Sequence, residues 1–149
     1  MAERQKANLW ELSDLCTPWC LHVVATLQIA NHIASGMSQI DDLAAAASCD
    51  PDVLEAVLSH LVTKGVFEEP APGHFALNEA ARDLLDPVFQ LSMDLNSLGG
   101  RMAHAWSTLL PYTRTGKSHY PQLFGRSFFE DLEAHPKISA DFDALIGPA

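Results

Sequence analysis

Val66-Phe67-Glu68-Glu69 and His74-Phe75-Ala76-Leu77 stand on either side of Pro70-Ala71-Pro72-Gly73. The helical period that governs the preceding residues stops here, and turn formers occupy the middle of the stretch. It reads as a β-hairpin with strands over 66–69 and 74–77. Immediately upstream, Pro51 opens a helix in which Leu54, Val57, Leu58, Leu61 and Val62 form one face, and Gly65 ends it. Proline costs no needed hydrogen bond in the first helical turn, and the preceding Asp50 is a suitable cap.

Working further towards the N-terminus, Ser38 is placed to cap a helix from Ile40 to Ser48, with Asp41 and Asp42 favourably set in its first turn. Thr17-Pro18 begins a longer helix with the stripe Trp19, Val23, Leu27, Ala30 and Ile33, stopped by Gly36. Leu9, Leu12 and Cys16 recur at helical spacing and predict a first amphipathic helix over roughly residues 3–15. Consecutive helices followed by a hairpin give the order of a winged helix-turn-helix.

Beyond the hairpin, Asn78 can cap a short helix, and Asp86-Pro87 starts one that carries Val88, Leu91, Leu95 and Leu98 until Gly99-Gly100 breaks it. Met102, Trp106, Leu109 and Leu110 mark another helix. Residues 113–127 read as loop, anchored by Gly116, Tyr120, Pro121, Phe124 and Gly125. Phe128, Phe129 and Leu132 begin a short helix. His135-Pro136 opens a last one with Ile138, Phe142, Leu145 and Ile146. The end, Gly147-Pro148-Ala149, has the character of a linker. The expected fold is therefore mainly α, a winged-helix-like single domain with one small hairpin.

The 149 residues are 48% hydrophobic and carry a net charge of −10, which gives a real core and an acidic surface. That sign of charge repels phosphate backbones and anionic lipid, so neither nucleic acid nor a membrane is an expected partner. Between residues 41 and 94 there are 11 acidic side chains against Lys64 and Arg82. The helix that would enter a major groove, from Pro51 to Lys64, offers no arginine, and the winged helix is expected to be a packing scaffold. The three cysteines, an odd number, and an N-terminus without an apolar signal core fit a reduced, cytoplasmic protein.

No catalytic centre is visible. The glycines never fall as Gly-x-Gly, so no phosphate cradle can be argued. The seven histidines are scattered singly, and Cys16 and Cys20 straddle the Thr17-Pro18 helix start, so no metal site is expected. The informative stretch is apolar and aromatic: Met102, Trp106, Leu110, Tyr112, Tyr120, Phe124, Phe128 and Phe129. Such a cluster is either core or the wall of a pocket for a flat hydrophobic ligand.

Thr17-Pro18 with Val24-Ala25-Thr26-Leu27, then Leu58-Ser59-His60-Leu61-Val62-Thr63-Lys64-Gly65-Val66-Phe67, form the first part of a recognisable series. Arg114-Thr115-Gly116-Lys117, Phe124-Gly125-Arg126-Ser127-Phe128-Phe129-Glu130-Asp131-Leu132 and Phe142-Asp143-Ala144-Leu145 complete it. In this order, across residues 8–146, they resemble the N-terminal dimerisation domain of S-adenosylmethionine-dependent small-molecule O-methyltransferases. That group includes plant caffeate enzymes and actinobacterial natural-product enzymes.

The resemblance implies an intertwined homodimer and a domain that covers the acceptor substrate without being catalytic itself. It implies a separate or fused Rossmann-like domain, absent from residues 1–149, that would hold S-adenosylmethionine; this chain would hold no cofactor. It also implies that Met102, Trp106 and Phe129, with Phe124, contact an aromatic or polyketide-like acceptor. Trp10 falls off the Leu9, Leu12, Cys16 stripe, so Leu9, Trp10 and Leu12 are expected at the dimer interface. The alternative is a stand-alone winged-helix dimer that binds a hydrophobic metabolite or a separate methyltransferase subunit. A transcription regulator is disfavoured by the charge.

Overall fold

The computed structural model describes residues 5–146. Expectations that touch residues 3, 4 and 147–149 therefore lie outside the described residues. Helices dominate, with one two-stranded antiparallel sheet. Among the described residues, no helix is long and apolar enough to cross a membrane.

The N-terminal helix is much shorter than its periodicity predicted. It spans only Leu9–Leu12 (α1), capped by the Asn8 side chain, which accepts hydrogen bonds from the Trp10 and Glu11 amides. None of its residues is buried, so the Leu9, Leu12, Cys16 stripe does not face this chain's own core.

The next helix, Cys16–Thr26 (α2), starts before Pro18, and the Asp14 carboxylate just ahead of it accepts from the Cys16 and Thr17 amides. It stops at Thr26, and a separate helix covers Ile29–Ala34 (α3). Gln28 between them is left-handed, with φ of 56°. The buried pairs Val24-Ala25 and Ile29-Ala30 are five residues apart, one more than a helical repeat, and this residue absorbs the extra step. The expected stripe is corrected accordingly: Cys20, Val24, Ala25, Ile29 and Ala30 are buried, while Trp19 is exposed.

Ile40–Ala47 (α4) and Pro51–Thr63 (α5) follow the sequence closely, with Asp50 accepting from the Val53 amide at the start of α5. Ser38 is not the cap of α4. Its carbonyl accepts from the Phe75 amide at 2.8 Å and thereby stitches the hairpin to the entry of α4. The strands are Glu68–Ala71 (β1) and His74–Ala76 (β2), shifted from the expected 66–69 and 74–77. The shift has a local cause. Phe67 is left-handed with φ of 69° and fully buried, and its amide is taken by the Asn78 side chain. Asn78 also accepts from the Ala81 amide and donates to the Gly65 carbonyl, so one residue caps Glu79–Arg82 (α6) and closes the base of the hairpin.

A 3-10 turn leads to Pro87–Met93 (α7), capped by Asp86. Gly99-Gly100 does not break a helix as expected; both glycines lie inside Leu98–Ala105 (α8). A Cβ on Gly100 would stand 2.0 Å from the Leu95 carbonyl oxygen, and one on Gly99 2.5 Å from that of Ser92. Lack of a side chain here permits close approach of two backbones. After a further 3-10 turn come Leu109–Thr115 (α9) and Tyr120–Phe124 (α10). The expected loop over 113–127 therefore contains the end of one helix and the whole of another, between left-handed Gly116 and Gly125. Phe128–Ala134 (α11) begins with a capping box between Ser127 and Glu130, and Pro136–Ile146 (α12) completes the described chain.

Two cores result. The larger joins α2 to α7 around Val24, Ile29, Leu43, Leu58, Leu61, Phe67 and Phe75. The smaller gathers Leu98, Leu132 and Ile138, with Phe128, Phe142 and Leu145 packed against them. α8 belongs to the smaller core, and the Trp19 and His104 rings, 5.6 Å apart, connect it to α2.

Candidate functional site

Met102, Ala105 and Trp106 join Thr108, Leu109 and Tyr112 around an open groove of about 340 Å³. The 3-10 turn Trp106–Thr108 joins α8 to α9, and the lining comes from all three segments. Trp106 is 70% exposed, and Leu109, Leu110 and Tyr112 are exposed beside it. Large apolar side chains in one exposed patch mark a binding surface. No carboxylate, imidazole or ammonium lines this groove, so it can stack and orient a flat ligand but supplies no general acid or base at neutral pH.

Next to the groove, Arg101 is tied into a buried polar network. Arg101 Nε donates to Asp131 Oδ2 at 2.8 Å. The Tyr120 hydroxyl donates to the same oxygen. His135 Nδ1 lies 3.0 Å from Asp131 Oδ1 and 2.9 Å from the Asp131 carbonyl oxygen. Burial, at 2% exposure, pushes the Asp131 carboxyl up, but the Tyr120 and Arg101 hydrogen bonds and the nearby positive charge together hold it below its ordinary value. Burial raises the Tyr120 phenol well above its ordinary value, and its bond to the carboxylate adds to the shift. The Arg101 guanidinium carbon also sits 4.8 Å over the Phe124 ring, which lies 4.4 Å from that of Tyr120.

Of the residues assigned to acceptor contact from the sequence, Met102 and Trp106 meet in the groove. Phe124 and Phe129 are not among its lining. Phe124 is half-buried beneath Arg101, and Phe129 is 71% exposed at the start of α11, its ring 5.5 Å from Phe128. Reading the sequence missed Arg101 and Asp131. The sequence gives little signal for the pair, because Asp131 stands between Glu130 and Glu133 on one short acidic helix.

The groups expected at the dimer interface form a second exposed patch. Trp10 is 88% exposed, and Leu9, Leu12 and Leu15 are exposed with it. The two cysteines at the start of α2 need a correction: they share a face, with their sulfurs 3.9 Å apart. Burial, with Cys16 alongside, pushes the Cys20 thiol up to about 11. Among the described residues, no group of three or more metal-ligating side chains is assembled.

The description of a family called O-methyltransferase dimerisation domain matches residues 10–87. The chain is 38% identical over 142 residues to 2,7-dihydroxy-5-methyl-1-naphthoate 7-O-methyltransferase of Streptomyces carzinostaticus, covering 93% of this chain and 43% of that protein. It is 32% identical over 143 residues to aclacinomycin 10-hydroxylase RdmB of Streptomyces purpurascens, covering 93% and 38%. A similar crystal structure is that of NcsB1, an O-methyltransferase from neocarzinostatin biosynthesis, in complex with S-adenosylmethionine and 2-hydroxy-5-methyl naphthoic acid. It superposes with a TM-score of 0.88 at 36% identity, covering 96% of this chain and 45% of that one. The chain thus spans less than half the length of these relatives. With the family's description matching just over half of its residues, it belongs to the O-methyltransferase dimerisation domain family.

Proposed function

We propose that this chain is the dimerisation and acceptor-covering part of an S-adenosylmethionine-dependent O-methyltransferase that acts on an aromatic or polyketide-like small molecule. The observation that carries the reading is the exposed apolar groove of α8 and α9, with Trp106 and Met102 on its wall. The groove would stack on the acceptor and fix the direction of its hydroxyl, a contribution of proximity and orientation. Phe129 and Phe124 would extend the apolar surface towards α10 and α11. The presence of a naphthoic acid together with S-adenosylmethionine in the NcsB1 structure supports an acceptor of this shape.

The cofactor does not fit the described residues. The sheet is a two-stranded hairpin, and β2 runs into α6 through Leu77 and Asn78 with no glycine between them. A glycine-rich turn from strand into helix, the usual nucleotide cradle, is not formed here. S-adenosylmethionine would be held by a domain outside residues 1–149. Calorimetric titration of the chain with S-adenosylmethionine should give no saturable heat; saturable binding would overturn this division of labour.

The groove itself is tested with 2-naphthol by isothermal titration calorimetry, a readout that does not depend on Trp106. Trp106→Ala should weaken binding about 10-fold, as expected for loss of a stacked ring worth about 1.5 kcal/mol. Unchanged affinity would remove the groove from acceptor binding. A second reading rests on RdmB, a relative at 32% identity that is named a hydroxylase. The same scaffold and groove would then serve a different reaction on a similar molecule, and the binding test would have the same result.

A further inference from the structure

Asp131 ties α8, which lines the groove, to α10 and α11, which lie outside its lining. Arg101 reaches it from α8, one residue before Met102. Tyr120 reaches it from α10, and Asp131 itself stands two residues after Phe129 on α11. The Arg101 guanidinium carbon also lies 4.8 Å over the Phe124 ring, so the guanidinium is contacted on two sides. A carboxylate at 2% exposure, with charged and phenolic donors converging on it, has very little freedom to rearrange. Any rotation of α8 about its axis must break the Arg101 bond, and the same rotation moves Met102 and Trp106.

We infer that Asp131 is a positioning residue for the acceptor groove. Through Arg101 it sets the rotation of α8, and through Tyr120 it sets α10 relative to α11. The inference rests on the acceptor reading of the groove, but it also has a consequence that needs no ligand. The larger core, against which Met37 packs, lies outside this network. Disturbing the Asp131 contacts should therefore move the Met102 methyl group and leave that of Met37 in place.

The experiment uses the chain with 13C-labelled methionine methyl groups, in its free form and titrated with 2-naphthol. Asp131→Asn should displace or broaden the Met102 resonance, keep that of Met37, and weaken 2-naphthol about 10-fold. Tyr120→Phe removes one hydroxyl and keeps both rings in contact; it should do the same with a loss of about 3-fold. Arg101→Lys keeps the charge but not the planar fork, so it should fail to restore the wild-type Met102 position. A loss of all methionine signals in Asp131→Asn would mean that this variant does not fold, and Tyr120→Phe then decides. If Tyr120→Phe leaves both the Met102 signal and the affinity unchanged, the inference is overturned. If wild-type chain does not bind 2-naphthol, the acceptor reading fails, and the ligand-free Met102 signal alone decides whether Asp131 positions α8.

Discussion

Gly100→Ala is expected to destabilise the domain by about 3 kcal/mol, near the upper end of what an added methyl group costs in a packed interior. A Cβ there would stand 2.0 Å from the Leu95 carbonyl oxygen, 2.7 Å from its carbon and 2.9 Å from its Cα. All three are backbone atoms, so no side chain can rotate away to make room. The Gly100 amide also donates to the carbonyls of Asp94 and Ser97, which fixes the turn against the first residues of α8. Relief requires the turn or the helix to shift, and α8 carries Met102 two residues further on. Urea denaturation should show a lower midpoint with an unchanged slope. Gly65→Ala is the comparison. Gly65 has φ of 84° and nothing within 4 Å of its virtual Cβ, so only the left-handed conformation is penalised, at about 1–2 kcal/mol. If Gly100→Ala costs no more than Gly65→Ala, the close approach of α8 to residues 94–95 is looser than the structure has it.

The same pair of glycines shows where sequence reading stops. Caps were legible because a cap is a local matter: Asp50, Asn78 and Asp86 each bond an amide two or three residues away. The hairpin was legible because proline and glycine punctuate the chain whatever surrounds them. Gly99-Gly100 looks like punctuation too, yet its cause is a segment of backbone from the preceding turn, and no local pattern encodes that. Gln28 is the opposite case. A left-handed glutamine has no composition signal, and only the five-residue step between buried pairs reveals it. Helical spacing marks Met102 and Trp106 as one apolar stripe, while their role towards an acceptor is what the family resemblance implies. Arg101 and Asp131, 30 positions apart, become a pair only when α8 and α11 are packed together. Phe124 is aromatic and near in sequence, but that Arg101 lies over its ring is a fact of packing that residue type does not carry.

Trp10→Ala should convert a dimer into a monomer at micromolar concentration. α1 is four residues long, too short to hold a helix by its own hydrogen bonds, and the Asn8 cap satisfies only its first amides. Leu9, Trp10, Leu12 and Leu15 are between 73% and 88% exposed, so packing within the chain contributes little to holding it. An apolar patch of this kind is stable in water only when it is covered, and the membership in a dimerisation family makes a second copy the proposed cover. A twofold axis would bring each Trp10 to the interface once per subunit, so the substitution counts twice. A buried tryptophan anchor is worth about 2 kcal/mol or more on truncation, and two of them weaken the dimer about 1000-fold. Sedimentation velocity over a concentration series separates the wild-type dimer from the 16.3 kDa monomer. Val53→Ala provides the contrast, because Val53 is also exposed, at 63%, but lies on α5. It should leave the dimer intact. Should Trp10→Ala remain dimeric while Val53→Ala dissociates, the twofold contact would have to be moved from α1 to the outer face of α5. That face carries Asp52 and Glu55 beside Val53, and two copies meeting there would bring like charges together.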